Sequence, residues 1–425
     1  MRCAPAARRG FSPLDEELEL LPGHLTPSLV EGLVRLGTWL PFEPAAAMLA
    51  SFTKVAVSEG TARRRTEQAG AAYEAVQTAE VERLERELPP GPDGPAVQQL
   101  SVDGAMVPLV GGCWGEAKLL AIGTVGAPIW EDGEWRVHAG ELSYFGRMTD
   151  AETFGRLATV ETHRRGTEAA GRVCAVMDGA EWQQGFVDLH RPDAVRILDF
   201  PHGAEYVARA GQAVFGSGTE ASAAWLAEQL HDLKHGREAA VLATLAELRE
   251  RAARDGTAEV LAAVETSLGY LEKRRAQLRY GAFRAAGYPI GSGMVESGNK
   301  LVTEARLKGA GMHWAPEHVD PLLALRTAVC ADRWDEAWGQ LSVQLRANAH
   351  TPTRARQAER RQARAARAAT EPAATPPPPL ALLPPPPPPP APHPPPRGAQ
   401  PRRPAANHPW RRMSIGRAGT ERAAS

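Results

Sequence analysis

Nothing in this chain approaches the ~20 consecutive apolar residues that a bilayer-crossing helix needs, so no membrane partner is expected. The opening residues, MRCAPAARRG, hold no hydrophobic region of the kind that marks a secretory signal, and a cytoplasmic location is the expectation. Cysteine is scarce: four in 425 residues, at positions 3, 113, 174 and 330, with no CxxC pair. That excludes a disulfide-stapled fold and leaves reduced thiols. Net charge is almost absent too, at −1. A strongly basic chain would advertise nucleic acid; here the basic character is local. Residues 351–425 carry 13 Arg against 3 Glu, a net +10, which leaves −11 for the first 350 residues.

The chain is long enough for two or three domains. The composition shifts mark them. Residues 371–400 hold 16 prolines, which block helix and central strand, so 346–425 reads as a basic, proline-rich disordered tail. At the other end, residues 1–88 read as a helical region. Pro27 to Ala72 suggests several short helices, with Met48, Leu49 and Phe52 as one apolar face. Ser58 is placed to N-cap a further helix that presents Arg63, Arg64 and Arg65 at once. Helix, tight turn, then a helix basic in its first turns is the helix-turn-helix pattern, whose second helix enters the DNA major groove. Many helical hairpins share the pattern. Residues 71–88 suggest a separate amphipathic connector helix.

After the linker "LPPGPDGP" the hydrophobic period changes. "QQLSVDGAMVPLV", "AKLLAIGTVGAPIW" and "EWRVHAGELSYFG" read as three strands joined by Gly-rich turns. A helix near 150–165, a strand "RVCAVMDG", a helix near 181–190 and a strand "AVRILDF" follow. The order β-β-β-α-β-α-β implies an α/β fold, with a mixed sheet and helices on its faces. Residues 204–287 are helical throughout and read as an all-α insertion within a domain spanning 96–345.

Three carboxylates stand out. Asp103 lies inside the first, apolar strand, where a charge is costly unless it faces a site. Asp178 ends the fourth strand, and ligand sites in open α/β sheets lie at the carboxyl ends of strands. Glu296 follows the Gly-Ser-Gly turn of "GSGMVESGNK", at the start of a helix that runs to about 308. Taken singly, each has an ordinary reading: a cap, a strand end, an acid favoured by a helix dipole. Were the first and fourth strands neighbours, the two aspartates would meet and Glu296 would complete a cluster. Three such acids repel, and two Mg²⁺ or Mn²⁺ ions would remove the repulsion.

With these residues in view, "SVDGAMVP", "VMDGAEW", "ILDFPHGAEY" and "GYPIGSGMVESGNKLVTEARLKGAGMHW" resemble the bacterial insertion-sequence DDE transposases of the Kra type, over roughly residues 10–345. The resemblance implies a ribonuclease-H-like catalytic domain. It implies a DDE triad of Asp103, Asp178 and Glu296 holding two metal ions. Its partner would be DNA, both the element's terminal inverted repeats and the target, bound by a homodimer or higher assembly and so near the nucleoid. Asp199 and His202 match an accessory Asp-x-x-His motif. Lys300, Arg306 and Lys308 become candidate phosphate contacts, within a 272–308 segment that carries 8 Lys/Arg against 3 Glu. Members of the family often carry a cysteine-rich stretch before the segment that here reads "GFSPLDEEL". Only Cys3 precedes it, so a shortened start with incomplete recognition of DNA ends is expected. Two other readings remain: a non-catalytic DNA-binding remnant or repressor, and a ribonuclease-H-like nuclease with another duty.

Overall fold

The computed structural model describes residues 25–131 and 133–348. The expectations placed on Cys3 and on the proline-rich segment lie outside them. Among the described residues no helix is long and apolar enough to cross a membrane.

A five-stranded mixed sheet forms the centre, in the order β5-β2-β1-β6-β7. Strand β1 (Val97–Pro108) runs antiparallel to β2 (Trp114–Val125), which pairs antiparallel with β5 (Ala139–Arg147). On its other side β1 pairs in parallel with β6 (Arg172–Met177), and β6 with β7 (Val195–Leu198). The first and fourth strands of the sequence reading are thus neighbours. The third is shorter than "EWRVHAGELSYFG" suggested. Its first residues form β4 (Glu134–Arg136), which pairs only with β3 (Ile129–Glu131) in a separate hairpin. Gly133, at φ +81°, supplies the left-handed residue in that turn.

Period-2 alternation sends each strand's side chains to two cores. On one face Leu100, Val102, Leu120 and Ile122 pack with Phe154 of α4 (Ala151–Arg164) and Phe186 of α5 (Glu181–His190). On the other face Val107, Leu119 and Tyr144 meet Val295, Val302 and Leu322. That same face of β6 and β7, through Cys174, Val176 and Ile197, is covered by the helical block. The block comprises α6 (Phe200–Phe215), α7 (Glu220–Lys234), α8 (Glu238–Asp255), α9 (Ala258–Lys273) and the short α10 (Tyr280–Ala285). The chain re-enters the sheet region through α11 (Gly293–Gly298), which continues as a π-helical segment, Asn299–Glu304, and closes at Ala305–Leu307. Helix α12 (Val319–Cys330) follows, then a helix over 334–348.

The N-terminal helices are α1 (Pro27–Trp39), α2 (Phe42–Thr53) and α3 (Glu59–Glu87). Between α2 and α3 the chain turns at Lys54, in the left-handed region at φ 60°, and Ser58 caps α3 by accepting the Thr61 N–H at 3.2 Å. Two expectations need correction. Residues 71–88 are not a separate helix; α3 runs unbroken for 29 residues. The apolar face of α2 is also narrower than read, since Leu49 is buried while Met48 and Phe52 are exposed. A glycine normally weakens a helix interior, yet Gly70 sits inside α3 because the Pro321 backbone of α12 passes directly against it.

Gly70→Ala therefore sets two effects against each other. Helix propensity alone favours alanine by about 1 kcal/mol. Here the added Cβ overlaps the Pro321 carbonyl, which is backbone and cannot swing aside. Overpacking of this kind costs about 1–3 kcal/mol. The variant is expected to melt below the wild type in a thermal-denaturation measurement; a rise in Tm would contradict the close approach.

Candidate active site

The parallel pairing of β1 with β6 joins Val97 to Arg172 and Leu100 to Ala175, a constant offset of 75 residues. Carried three residues further, the same offset sets Asp103 level with Asp178. The ladder does not continue that far. Gln183, at the start of α5, fills the place of the missing bonds. Its Nε2 donates to Val102 O at 3.0 Å and its Oε1 accepts from the Gly179 and Ala180 N–H groups, both at 3.1 Å. The two strands part around this side chain, and a cleft of about 310 Å³ opens beyond.

Asp103, Asp178, Asp199, His202 and Glu296 all line that cleft, and among the described residues no lysine or arginine does. Each acid is held by neutral donors. Asp103 Oδ1 accepts the Gly104 N–H and Oδ2 accepts the Asn299 amide, both at 2.8 Å. Asp178 Oδ1 accepts the Ala180 N–H at 3.1 Å. Glu296 Oε1 accepts the Ser292 hydroxyl at 2.9 Å. Burial pushes the Asp103 carboxyl above its usual range, Asp178 and Glu296 push it further, and the Gly104 and Asn299 donors hold it back.

Asp199 is almost fully buried and acts on the backbone. Its Oδ2 accepts the His202 N–H at 2.9 Å, capping α6. Its Oδ1 accepts the Ser292 N–H at 2.6 Å and so pins the Gly-Ser-Gly turn that carries Glu296. Burial raises this carboxyl as well, against the Ser292 and His202 donors. His202 stands at the rim against the rings of Tyr206 and Tyr270. Those two rings stack at 3.8 Å and 3°. The Tyr270 hydroxyl donates to the Asp178 carbonyl, and the Arg274 guanidinium, over the Tyr270 ring, donates to Gly179 O. The helical block thus grips the loop that holds Asp178.

The sequence reading named the acids and Asp199-His202. It did not name Gln183, Tyr270, Arg274, Ser292 or Asn299. Asn299 carried a signal, since it lies three residues after Glu296 and so shares its helix face.

The basic candidates divide. Lys300 is exposed. Lys308 is half-buried and paired with Glu304 at 2.7 Å. Arg306 is a correction: it is 1% exposed and donates to Gly37 O at 3.1 Å, with its guanidinium over the rings of Phe42 and Trp314. It joins α1 and α2 to the body and cannot reach a phosphate. Arg63 and Arg64 are exposed near the start of α3, Arg63 paired with Glu67 at 3.5 Å, and Arg65 is half-buried.

Among the described residues no three His, Cys, Asp or Glu side chains are already gathered as a metal cage. The donor set nevertheless suits a hard cation: carboxylates facing one cleft, with no lysine or arginine among its described lining. No protein-family model matches the chain, and no curated protein matches it.

The raised acids fix a sign. Folding holds the protons of Asp103 and Asp199 more tightly than the unfolded chain does. The stability this gives is fully present below the ordinary aspartate pKa of about 3.9 and is lost as pH rises through the folded-state values. In EDTA, stability from this source is expected to fall with rising pH across that window. Asp103→Asn should flatten the fall in urea titrations run at several pH values. An unchanged slope would show that Asp103 is not a raised acid.

Proposed function

We propose that the protein is a metal-dependent DDE transposase, which cuts phosphodiester bonds at the ends of a DNA element and joins them to target DNA. One observation carries the reading: Asp103, Asp178 and Glu296, far apart in sequence, line one cleft that no lysine or arginine lines among the described residues. The sheet supports it too. A three-strand antiparallel meander continuing into two parallel strands is what the ribonuclease-H-like resemblance leads one to expect.

Asp103, Asp178 and Glu296 would hold two Mg²⁺ or Mn²⁺ ions, which when bound supply charge for activating a water or 3′-hydroxyl and for stabilising the leaving oxygen. The chain's own groups do the positioning. Asn299 and the Gly104 amide fix the Asp103 carboxylate. Ser292 aims Glu296, and Asp199 holds Ser292. Tyr270 and Arg274 hold the Asp178–Gly179 backbone. DNA would meet Arg63, Arg64 and Arg65 at the start of α3, with Lys300 and Lys308 further along the chain from Glu296. Arg306 is withdrawn from that set. Two DNA ends must be brought together, so the working form would be at least a dimer on DNA.

Glu296→Gln tests the reading. It keeps the size of the side chain and an oxygen that can accept from Ser292, and it removes the charge. Cleavage and strand joining with Mg²⁺ should drop by at least 100-fold, while the melting curve in EDTA and the affinity for the same DNA stay near wild type. Near-normal joining by Glu296→Gln would end the triad assignment. A wild-type protein that binds DNA ends but never cuts would leave a non-catalytic remnant or repressor.

The DNA contacts have their own test. Arg63, Arg64 and Arg65 changed together to Ala should weaken binding and shallow its salt dependence, because fewer counterions are released. An identical affinity and salt slope would remove the start of α3 from the interface.

A further inference from the structure

The β3–β4 hairpin projects two indoles. Trp130 and Trp135 are direct cross-strand partners and therefore share one face. Their rings meet edge to face at 5.4 Å, yet each residue stays about three-fifths exposed, at 61% and 60%. Ile129 beside them is also exposed. A two-stranded hairpin is marginal alone. This one is tied to the helical block through Glu134, which takes Lys234 at 2.7 Å and Arg284 at 3.4 Å. Arg136 is 3.4 Å from the same carboxylate, so three cations share it and a positive surplus remains on that wall.

Trp135, Lys234 and Arg284 line a second cleft of about 630 Å³, together with Gln99, Met294 and Ser297. The turn that carries Glu296 is its partition from the acid cleft. Gly291, Gly293, Met294 and Ser297 face the larger cleft; Ser292, Val295 and Glu296 face the smaller.

We propose that this second cleft and the adjoining face of the hairpin bind single-stranded DNA, with unstacked bases lying on Trp135 of the cleft and on its cross-strand partner Trp130 outside the lining, and phosphates drawn to Lys234 and Arg284. Exposed aromatic rings beside a cationic groove are the combination that holds single strands without sequence preference. Aromatic grooves also take polyproline segments, and this chain has one at 371–400. Charge decides between them: residues 371–400 carry one Arg against one Glu, a net zero that gains nothing from the cationic wall, whereas a polyanion is attracted. The inference rests on the proposed function only for the choice of DNA as the polymer. Its consequence is that strand ends would be held unpaired next to the acid cleft.

The test uses the full chain and a fluorescently labelled (dT)20, read by anisotropy in EDTA so that catalysis plays no part. Trp130→Ala and Trp135→Ala should each weaken binding about 10-fold. Trp135→Phe, which keeps a ring, should recover most of it. Lys234→Gln should shallow the salt dependence by about one phosphate contact. Glu296→Gln should bind (dT)20 like the wild type. Because both indoles are exposed, all the tryptophan variants should melt like the wild type. Wild-type affinity in both Trp→Ala variants would overturn the proposal. So would an unlabelled peptide of residues 371–400 that binds the wild type but neither Trp→Ala variant, while (dT)20 does not bind. Tryptophan-dependent (dT)20 binding by a protein that never cleaves DNA would sink the transposase reading and leave this one standing.

Discussion

The burial of several carboxylates in one cleft is the constraint around which the surrounding elements are arranged. Two like charges roughly 6 Å apart repel by about 3 kcal/mol at an effective dielectric of 20. A hydrogen bond to a charged acceptor returns about 1.5–3 kcal/mol. Asp103, with two such donors, can therefore offset one or two repulsive pairs. The lining holds five acids, Glu205 included, which present several pairs, and neutral donors alone do not balance them. The Asp103 carboxyl is raised first by its burial and then, to a smaller degree, by Asp178 and Glu296. A bound divalent cation would reverse it, which is why the absence of lysine and arginine from the lining bears on function rather than on stability alone.

Holding Glu296 in that field requires a rigid path back to the sheet. The path runs through the π-helical segment after α11. A π-turn widens the helix and loosens the usual carbonyl pairing, and such turns occur often at functional sites. Here the loosened carbonyls have a collector. Arg326 of α12 donates to Val302 O at 3.2 Å and also to Leu301 O. The same guanidinium reaches Thr38 O at 3.4 Å and lies over the Trp39 ring, so it ties α1 into the arrangement. Arg306 repeats the device one turn away, between Gly37 O and the rings of Phe42 and Trp314. Both arginines are almost fully buried with backbone carbonyls and rings for partners, and burial lowers the pKa of each. The N-terminal helices and the helix bearing Glu296 consequently share one core.

This sharing explains what the sequence made legible and what it hid. Asp103 and Asp178 were readable because their oddity is local: a charge inside an apolar strand and an Asp-Gly at a strand end. Glu296 was readable from the turn before it. Arg306 was not, because its fate depends on Gly37, 269 residues away in sequence, and a basic residue in "EARLKG" looks like a phosphate contact until that neighbour is known. Gly70 hid the continuity of α3 for the same reason, since its partner is the backbone of α12. The β3–β4 hairpin was divided between two longer strands: "EWRVHAGELSYFG" has no proline to break the run after β4, and Pro128 in "AKLLAIGTVGAPIW" was the signal passed over before β3.

The helical block presents the same logic on a larger scale. It interrupts the chain between β7 and α11, and an insertion there would ordinarily loosen the approach of Glu296 to the sheet. Instead its two ends are both fastened to the cleft. At its start Asp199 caps α6 and grips Ser292 in one step. Near its end Tyr270 and Arg274 grip the Asp178–Gly179 backbone. Between them lies a core shared with β6 and β7, including Cys174, Val176 and Ile197. Any opening of α9 away from α6 would separate Tyr270 from Tyr206 and release the carbonyl of Asp178, and any slip of α6 would release the turn before Glu296. The block therefore sets the spacing of two of the three acids at once, and the cleft is as rigid as the helical core that spans it.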